Sequence, residues 1–296
     1  MTETHEETAA IKIENLTYAF PNSVIGLHNV NLSLPSRSRA LLIGANGSGK
    51  TTLLRILAGK TLCKQGRVFI NGVDPFRACV SGITYLGTEW AANPVVRYDM
   101  PVPYLLASVG GDAYPERRDE LIDILDVDLA WHMHAVSDGE RRRVQLVMGL
   151  LRPWSTLLLD EVTVDLDVLV RARLLDFLVR ETTSRPCAIV YATHIFDGLA
   201  EWPTDIVHMH MGRMINSGKT SDIMSEFLRH NPEIAVPSFN KNSALLNLAL
   251  KWLQDDLNDR GKRENVHRLK WSDISQNEKS DGLSSFEAYF KFSRAQ

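Results

Sequence analysis

The run Gly44, Ala45, Asn46, Gly47, Ser48, Gly49, Lys50 and Thr51 places glycines, a lysine and a hydroxyl at the spacing of a loop that wraps phosphate. Glycines let the backbone curl until successive N–H groups converge on one anion. The lysine of such a loop reaches the terminal phosphates, and the threonine hydroxyl can ligate Mg²⁺. Thr52 stands beside it. The competing explanation is a glycine-rich turn with an incidental lysine, but every fixed position of the pattern is filled. Alone, the loop says that a nucleoside triphosphate binds and leaves its fate open.

A second constellation lies downstream. Residues 156–161 form the apolar run Thr156, Leu157, Leu158, Leu159, ending in Asp160 and Glu161. In proteins with a phosphate loop, the first such carboxylate holds Mg²⁺ through its water shell. The second, Glu161, is placed to polarise a water, which is general-base work. A strand followed by solvated acids would look the same taken alone.

Such groups work only if a scaffold brings them together, and the pattern supplies one. Ile11–Thr17 and Val30–Leu34 alternate at period two, as half-buried strands do, and Arg39–Ile43 is a buried strand running into Gly44. Thr51–Gly59 reads as a helix closed by glycine. Gly66–Gly72 and Ile83–Leu86 read as strands. Residues 89–134, with Pro94, Pro101, Pro103 and Pro115, read as a mainly helical insertion. Then follow a helix (Glu140–Leu151), a strand (Thr156–Leu159), a helix (Leu166–Glu181) and a strand (Cys187–Ala192). That alternation predicts a mainly parallel sheet covered by helices. Past Pro232 the pattern lapses, except for an amphipathic helix over Ser243–Leu257 with Leu246, Leu250, Leu253 and Leu257 on one face. That helix is expected to dock on the chain's own core.

Composition narrows the class. The chain has 296 residues, 44% hydrophobic and 23% charged, with 33 basic against 36 acidic residues and a net charge of −3. Such a balance gives no electrostatic reason to expect direct nucleic-acid binding. Three cysteines, Cys63, Cys79 and Cys187, make neither a disulfide framework nor a zinc cluster and suit a reducing compartment. The acidic start lacks the basic and apolar regions of a secretory signal. No stretch reaches the ~18–20 apolar residues of a membrane span. His132 and His134, and His208 and His210, have a metal-like spacing of two, but with no carboxylate or cysteine nearby in sequence they read as strand-edge or surface histidines.

Further motifs carry a resemblance. Val136, Ser137, Asp138, Gly139 and Glu140, followed by Arg141, Arg142 and Arg143, are similar to the LSGGQ signature of ATP-binding cassette (ABC) ATPases. Ser137 and Gly139 fall at that motif's serine and second glycine. Residues 161–167 resemble the family's D-loop, with Asp167 at its aspartate, and residues 191–194 resemble its switch region, with His194 at the histidine. Phe20 lies where the family stacks an aromatic on adenine, with Tyr18 as the nearby alternative. The order of motifs is the family's, across residues 10 to 225. The guanine-reading Asn-Lys-x-Asp of GTPases is missing.

The resemblance implies an α/β P-loop NTPase fold with a RecA-like core, an antiparallel β lobe and a helical subdomain, followed by a C-terminal helical extension. The cassette would occupy residues 10–230, with its helical subdomain at about 89–138, and the extension 231–296. It implies ATP and Mg²⁺ as ligands. Phe20, residues 44–52, Ser137 and Gly139 would bind ATP, and Lys50, Glu161 and His194 would be catalytic. Thr51 and Asp160 would hold the metal, with Thr88 at the place of the family's glutamine but too short for sure contact. It implies head-to-tail pairing of two cassettes, here a homodimer. Asp138 and Glu140 depart from the signature and add negative charge near a polyphosphate unless paired or turned away, so slow hydrolysis is expected. The run from Gly139 to Gln145, together with residues 157–167, also resembles a branch of soluble eukaryotic ABC proteins. Its fungal member associates with the carbon-catabolite-repressor/Not transcription-regulating complex. That branch implies a soluble regulatory partner complex in the cytoplasm and the nucleus. The other class to weigh is the ATPase subunit of a membrane transporter.

Overall fold

The computed structural model describes residues 9–77, 80–87, 98–234 and 243–261. The chain divides into two compact units, 1–253 and 254–296. Within the larger unit, β1 (Ile11–Ala19), β2 (Ile25–Leu34) and β4 (Gln65–Ile70) form an antiparallel sheet in the order β2-β1-β4. Ile11, Ile13, Leu16, Leu27, Val30 and Leu32 point inward, as alternation dictates when one face is covered.

The second sheet has six strands in the order β5-β6-β7-β3-β8-β9. These are β3 (Arg39–Ile43), β5 (Ile83–Leu86), β6 (Thr156–Asp160), β7 (Ala188–Ala192), β8 (Asp205–His210) and β9 (Arg213–Lys219). All pairs are parallel except β8–β9, which closes as a hairpin. β6 and β7 are buried at every residue, because both faces are covered. The two faces feed two cores. Leu41, Ile43, Leu157, Leu159, Ile189 and Tyr191 join one with the helices. Leu42, Leu158, Val190, Ala192, Val207 and Met209 join the other, shared with the antiparallel sheet and with α1 (Lys50–Leu57).

Prolines punctuate the helical insertion. α2 (Val102–Ser108) and α3 (Pro115–Ile124) each carry a proline in their first turn, where the missing N–H costs nothing. α4 (Asp138–Leu151) and α5 (Val168–Ser184) start on the side-chain caps Ser137 and Asp167. α6 (Thr220–His230) follows β9, and α7 (Ala244–Arg260) comes last. Among the described residues no helix is long and apolar enough to cross a membrane.

Two expectations change. The buried face of α7 is Leu245, Leu248 and Ala249, joined by Trp252, whereas Leu250 is 51% exposed and Leu257 47% exposed. Two apolar stripes run along this helix one residue apart. Within the larger unit, Leu245, Leu248, Ala249 and Trp252 pack into the core together with Leu246 of the expected stripe, whereas Leu250 of that stripe stays exposed. His208 and His210 are buried in β8 between two neighbouring strands, not at an edge. His208 lies flat against Trp252, with ring centroids 4.6 Å apart.

Candidate functional site

The phosphate loop leaves β3 at a point where only glycine fits. A Cβ on Gly44 would stand 2.3 Å from the Met209 carbonyl oxygen of β8 and 2.6 Å from Ser48 Oγ. Gly47 and Gly49 turn the chain with φ of 84° and 105°, in the left-handed region. Gly49 caps α1 with no side chain over its end, so the first N–H groups of the helix stay open to an anion. Ser48 Oγ is buried and has no hydrogen-bond partner. Lys50 is buried, and its Nζ donates to the Gly44 oxygen at 2.7 Å and the Ala45 oxygen at 3.1 Å. Burial pushes its pKa down, and Glu161 and Asp160 push it back.

Asp160 ends β6, buried, and its Oδ2 accepts the Tyr85 hydroxyl from β5 at 3.3 Å. The Lys60 ammonium sits 4.7 Å from the Tyr85 ring centre. The role of Tyr85 is invisible in sequence, because an aromatic in the strand run 83–86 reads as core.

Glu161 adopts φ 53°, a left-handed conformation that costs a non-glycine residue about 1–3 kcal/mol and clusters at working sites. Its N–H donates to the Ala192 oxygen at 3.0 Å, tying it to the end of β7. The His194 N–H donates to Glu161 Oε2 at 3.3 Å. His194 Nε2 lies 3.3 Å from Oε1, but Oε1 itself is buried without a hydrogen bond. That lone pair is left for a hydrogen-bond donor. Burial raises the Glu161 pKa despite the His194 N–H and the Lys50 charge. Burial, then Lys50, lowers that of His194.

One cleft of about 540 Å³ collects Phe20, Asn46, Gly47, Gly49, Lys50, Thr51, Thr52, Asp160, Glu161 and His194. Val24, Ile25 and Met211, exposed apolar residues, also line it beside Phe20. Sequence reading missed these three, since scattered exposed apolar side chains carry no signal. Phe20 meets Tyr18 edge-on at 5.2 Å. An open helix N-terminus, a buried lysine and adjacent carboxylates with one unsatisfied oxygen suit a triphosphate with a divalent ion.

Ser137 and Gly139 are not among the residues lining that cleft. They open α4 instead. Ser137 Oγ caps the Glu140 N–H at 3.3 Å, and the Glu140 carboxylate turns back to the Ser137 N–H at 2.7 Å and hydroxyl at 2.8 Å. Asp138 pairs with Arg141 at 2.5 Å. One extra acid is thus paired and the other turned onto the cap. A Cβ on Gly139 would stand 2.9 Å from the Asp165 oxygen, which explains the glycine. Arg142 and Gln145 both donate to the Gly87 oxygen, at 2.9 Å and 3.2 Å, linking α4 to the end of β5. Thr88 lies outside the described residues.

The sequence model of the ABC transporter family matches residues 27–164. The chain is 46% identical over 274 residues to CCR4-associated factor 16 of Saccharomyces cerevisiae, covering 83% of this chain and 95% of that protein. It is 43% identical over 226 residues to ABC transporter I family member 21 of Arabidopsis thaliana, covering 72% and 79%. A solved ATP-binding subunit of an ABC transporter superposes with a TM-score of 0.67 at 21% identity, covering 82% of this chain and 99% of that one. That last likeness is one of fold.

Proposed function

The chain belongs to the ABC transporter family of ATP-binding cassettes, and from that membership we propose that it binds ATP with Mg²⁺ and hydrolyses it as a switch between single and paired chains. The observation that carries this reading is a division of labour. One cleft gathers Lys50, Asp160, Glu161 and His194, while Ser137 and Gly139 lie outside it. Such half-sites become whole when a second copy pairs head to tail with C2 symmetry.

In this reading the cassette spans residues 10–230 and the extension 231–296. Residues 44–52 hold the phosphates, and Phe20 stacks on the base. Thr51 and Asp160 hold Mg²⁺, with Thr88 at the sequence position of the family's glutamine. When bound, that ion neutralises phosphate charge. Lys50 neutralises more. Glu161 Oε1 orients the attacking water and accepts its proton. His194 contacts the terminal phosphate. Ser137 and the Gly139 N–H, from the second copy, complete the donors around the transferring group. Release of phosphate removes those contacts and reopens the pair.

The role proposed is regulatory, within a soluble protein complex of the cytoplasm and nucleus. Support comes from the name of the yeast relative, which is CCR4-associated. The test is the Glu161→Gln chain with ATP and Mg²⁺ on size-exclusion chromatography with light scattering. A trapped dimer with turnover lowered ~10²–10⁴-fold is expected. A persistent monomer with unchanged hydrolysis overturns the reading. Affinity capture with the same variant discriminates the role: a regulatory complex supports it, whereas a membrane permease supports a transporter subunit.

A further inference from the structure

The helical subdomain brings a carboxylate to the histidine pair that sequence reading left without one. Pro101 and His132 face each other across an antiparallel bridge. The Val102 N–H donates to the Trp131 oxygen at 3.0 Å and the Met133 N–H to the Met100 oxygen at 2.9 Å, which fixes the register. Alternation along each short segment then puts Asp99, His132 and His134 on one side. Asp99 Oδ1 lies 2.5 Å from His132 Nδ1 and 3.1 Å from His134 Nδ1, and the three ligand atoms all fall within 4.8 Å of one another. All three residues are exposed.

We infer that Asp99, His132 and His134 form a binding site for one borderline divalent transition-metal ion of the zinc class. Two imidazole nitrogens and a carboxylate oxygen are a donor set for Zn²⁺, Cu²⁺ or Ni²⁺, whereas Mg²⁺ and Ca²⁺ prefer oxygen throughout. Bonds of about 2.1 Å in a tetrahedron separate ligand atoms by about 3.4 Å. The two nitrogen–oxygen gaps open to that spacing with small rotations of exposed side chains. Water completes the shell on the exposed side. The ion would clip the segment entering α2 to the segment that leads into Ser137. A histidine pair hydrogen-bonded to an aspartate with no ion is the competing explanation.

The test needs no nucleotide, so its outcome is independent of the ATPase reading. Full-length chain, stripped by chelator, is titrated with Zn²⁺ against a chromogenic competitor in Mg²⁺-free buffer. The His132→Asn, His134→Asn double variant and Asp99→Asn run alongside. The expected result is one bound equivalent fewer in the double variant than in the parent, and at least tenfold weaker binding in Asp99→Asn, with thermal midpoints unchanged without metal. Substituting Co²⁺ should give a visible ligand-field band in the parent that the double variant lacks. Equal zinc stoichiometry in parent and double variant, or no tight equivalent in the parent, overturns the site.

Discussion

His194 and Glu161 meet at two points: the His194 N–H donates to Glu161 Oε2 at 3.3 Å, and its Nε2 stands 3.3 Å from Oε1. Burial acts on both in the same sense, favouring the neutral forms, so the pair is not a stable ion pair at neutral pH. The contact positions the carboxylate without quenching it, because Oε1 keeps a free lone pair.

A pH profile follows. As the proposed base, Glu161 would work only when ionised, and its pKa is raised above the ordinary 4.5. Turnover is therefore lost as pH falls through that raised value. The acid limb of kcat should lie above the ordinary carboxylate range, and it should vanish in Glu161→Gln. Burial, then Lys50, lowers the His194 pKa below 6.5, so any limb it adds lies on the acid side of the ordinary histidine value. An acid limb at or below 4.5 would contradict the assignment.

Removing the base should separate chemistry from binding. Glu161→Gln should lower kcat by ~10²–10⁴ with ATP affinity nearly unchanged. Lys50→Ala should instead weaken ATP binding by about 1.5–3 kcal/mol, the usual contribution of a charged hydrogen-bond donor. Steady-state kinetics and calorimetric titration distinguish the two patterns.

Asp167 does two jobs that separate substitutions can dissect. Its Oδ1 caps α5 by accepting the Val170 N–H at 2.9 Å, and its Oδ2 pairs with Arg143 of α4 at 2.6 Å. Asp167→Ala should cost about 1 kcal/mol of stability through the lost cap. Asp167→Asn keeps the cap and should cost no more than ~0.2–1 kcal/mol, since the pair is partly exposed. Denaturant midpoints read both.

The α7 faces give a stability contrast. Leu248→Ala should cost ~2–5 kcal/mol, because Leu248 is 2% exposed in the core. Leu250→Ala should stay within about 0.5 kcal/mol, because Leu250 is 51% exposed. The reverse order would restore the face that hydrophobic spacing first suggested.

That contrast shows where legibility ends. Buried parallel strands announce themselves as unbroken apolar runs, so β3, β6 and β7 stand where the pattern puts them. The loop from Gly44 to Thr51 is legible because backbone curvature demands glycine at fixed places. The α7 helix and its docking on the chain's own core are legible too, but its packed side is not, because two apolar stripes one residue apart overlap and only docking chooses between them. Val24, Ile25 and Met211 beside Phe20, the Tyr85 hydroxyl on Asp160, and Asp99 beside His132 are contacts between distant segments. No local pattern encodes them.

The central claim is that each chain completes the other's site. The direct measurement mixes two crippled chains, Glu161→Gln with an intact signature and Ser137→Ala with an intact Lys50 and Glu161, and follows phosphate release against mixing ratio. The account predicts that the mixture turns over ATP faster than the sum of its separate components, with a maximum near equal amounts. Turnover that merely tracks the weighted average of the two variants at every ratio would contradict it.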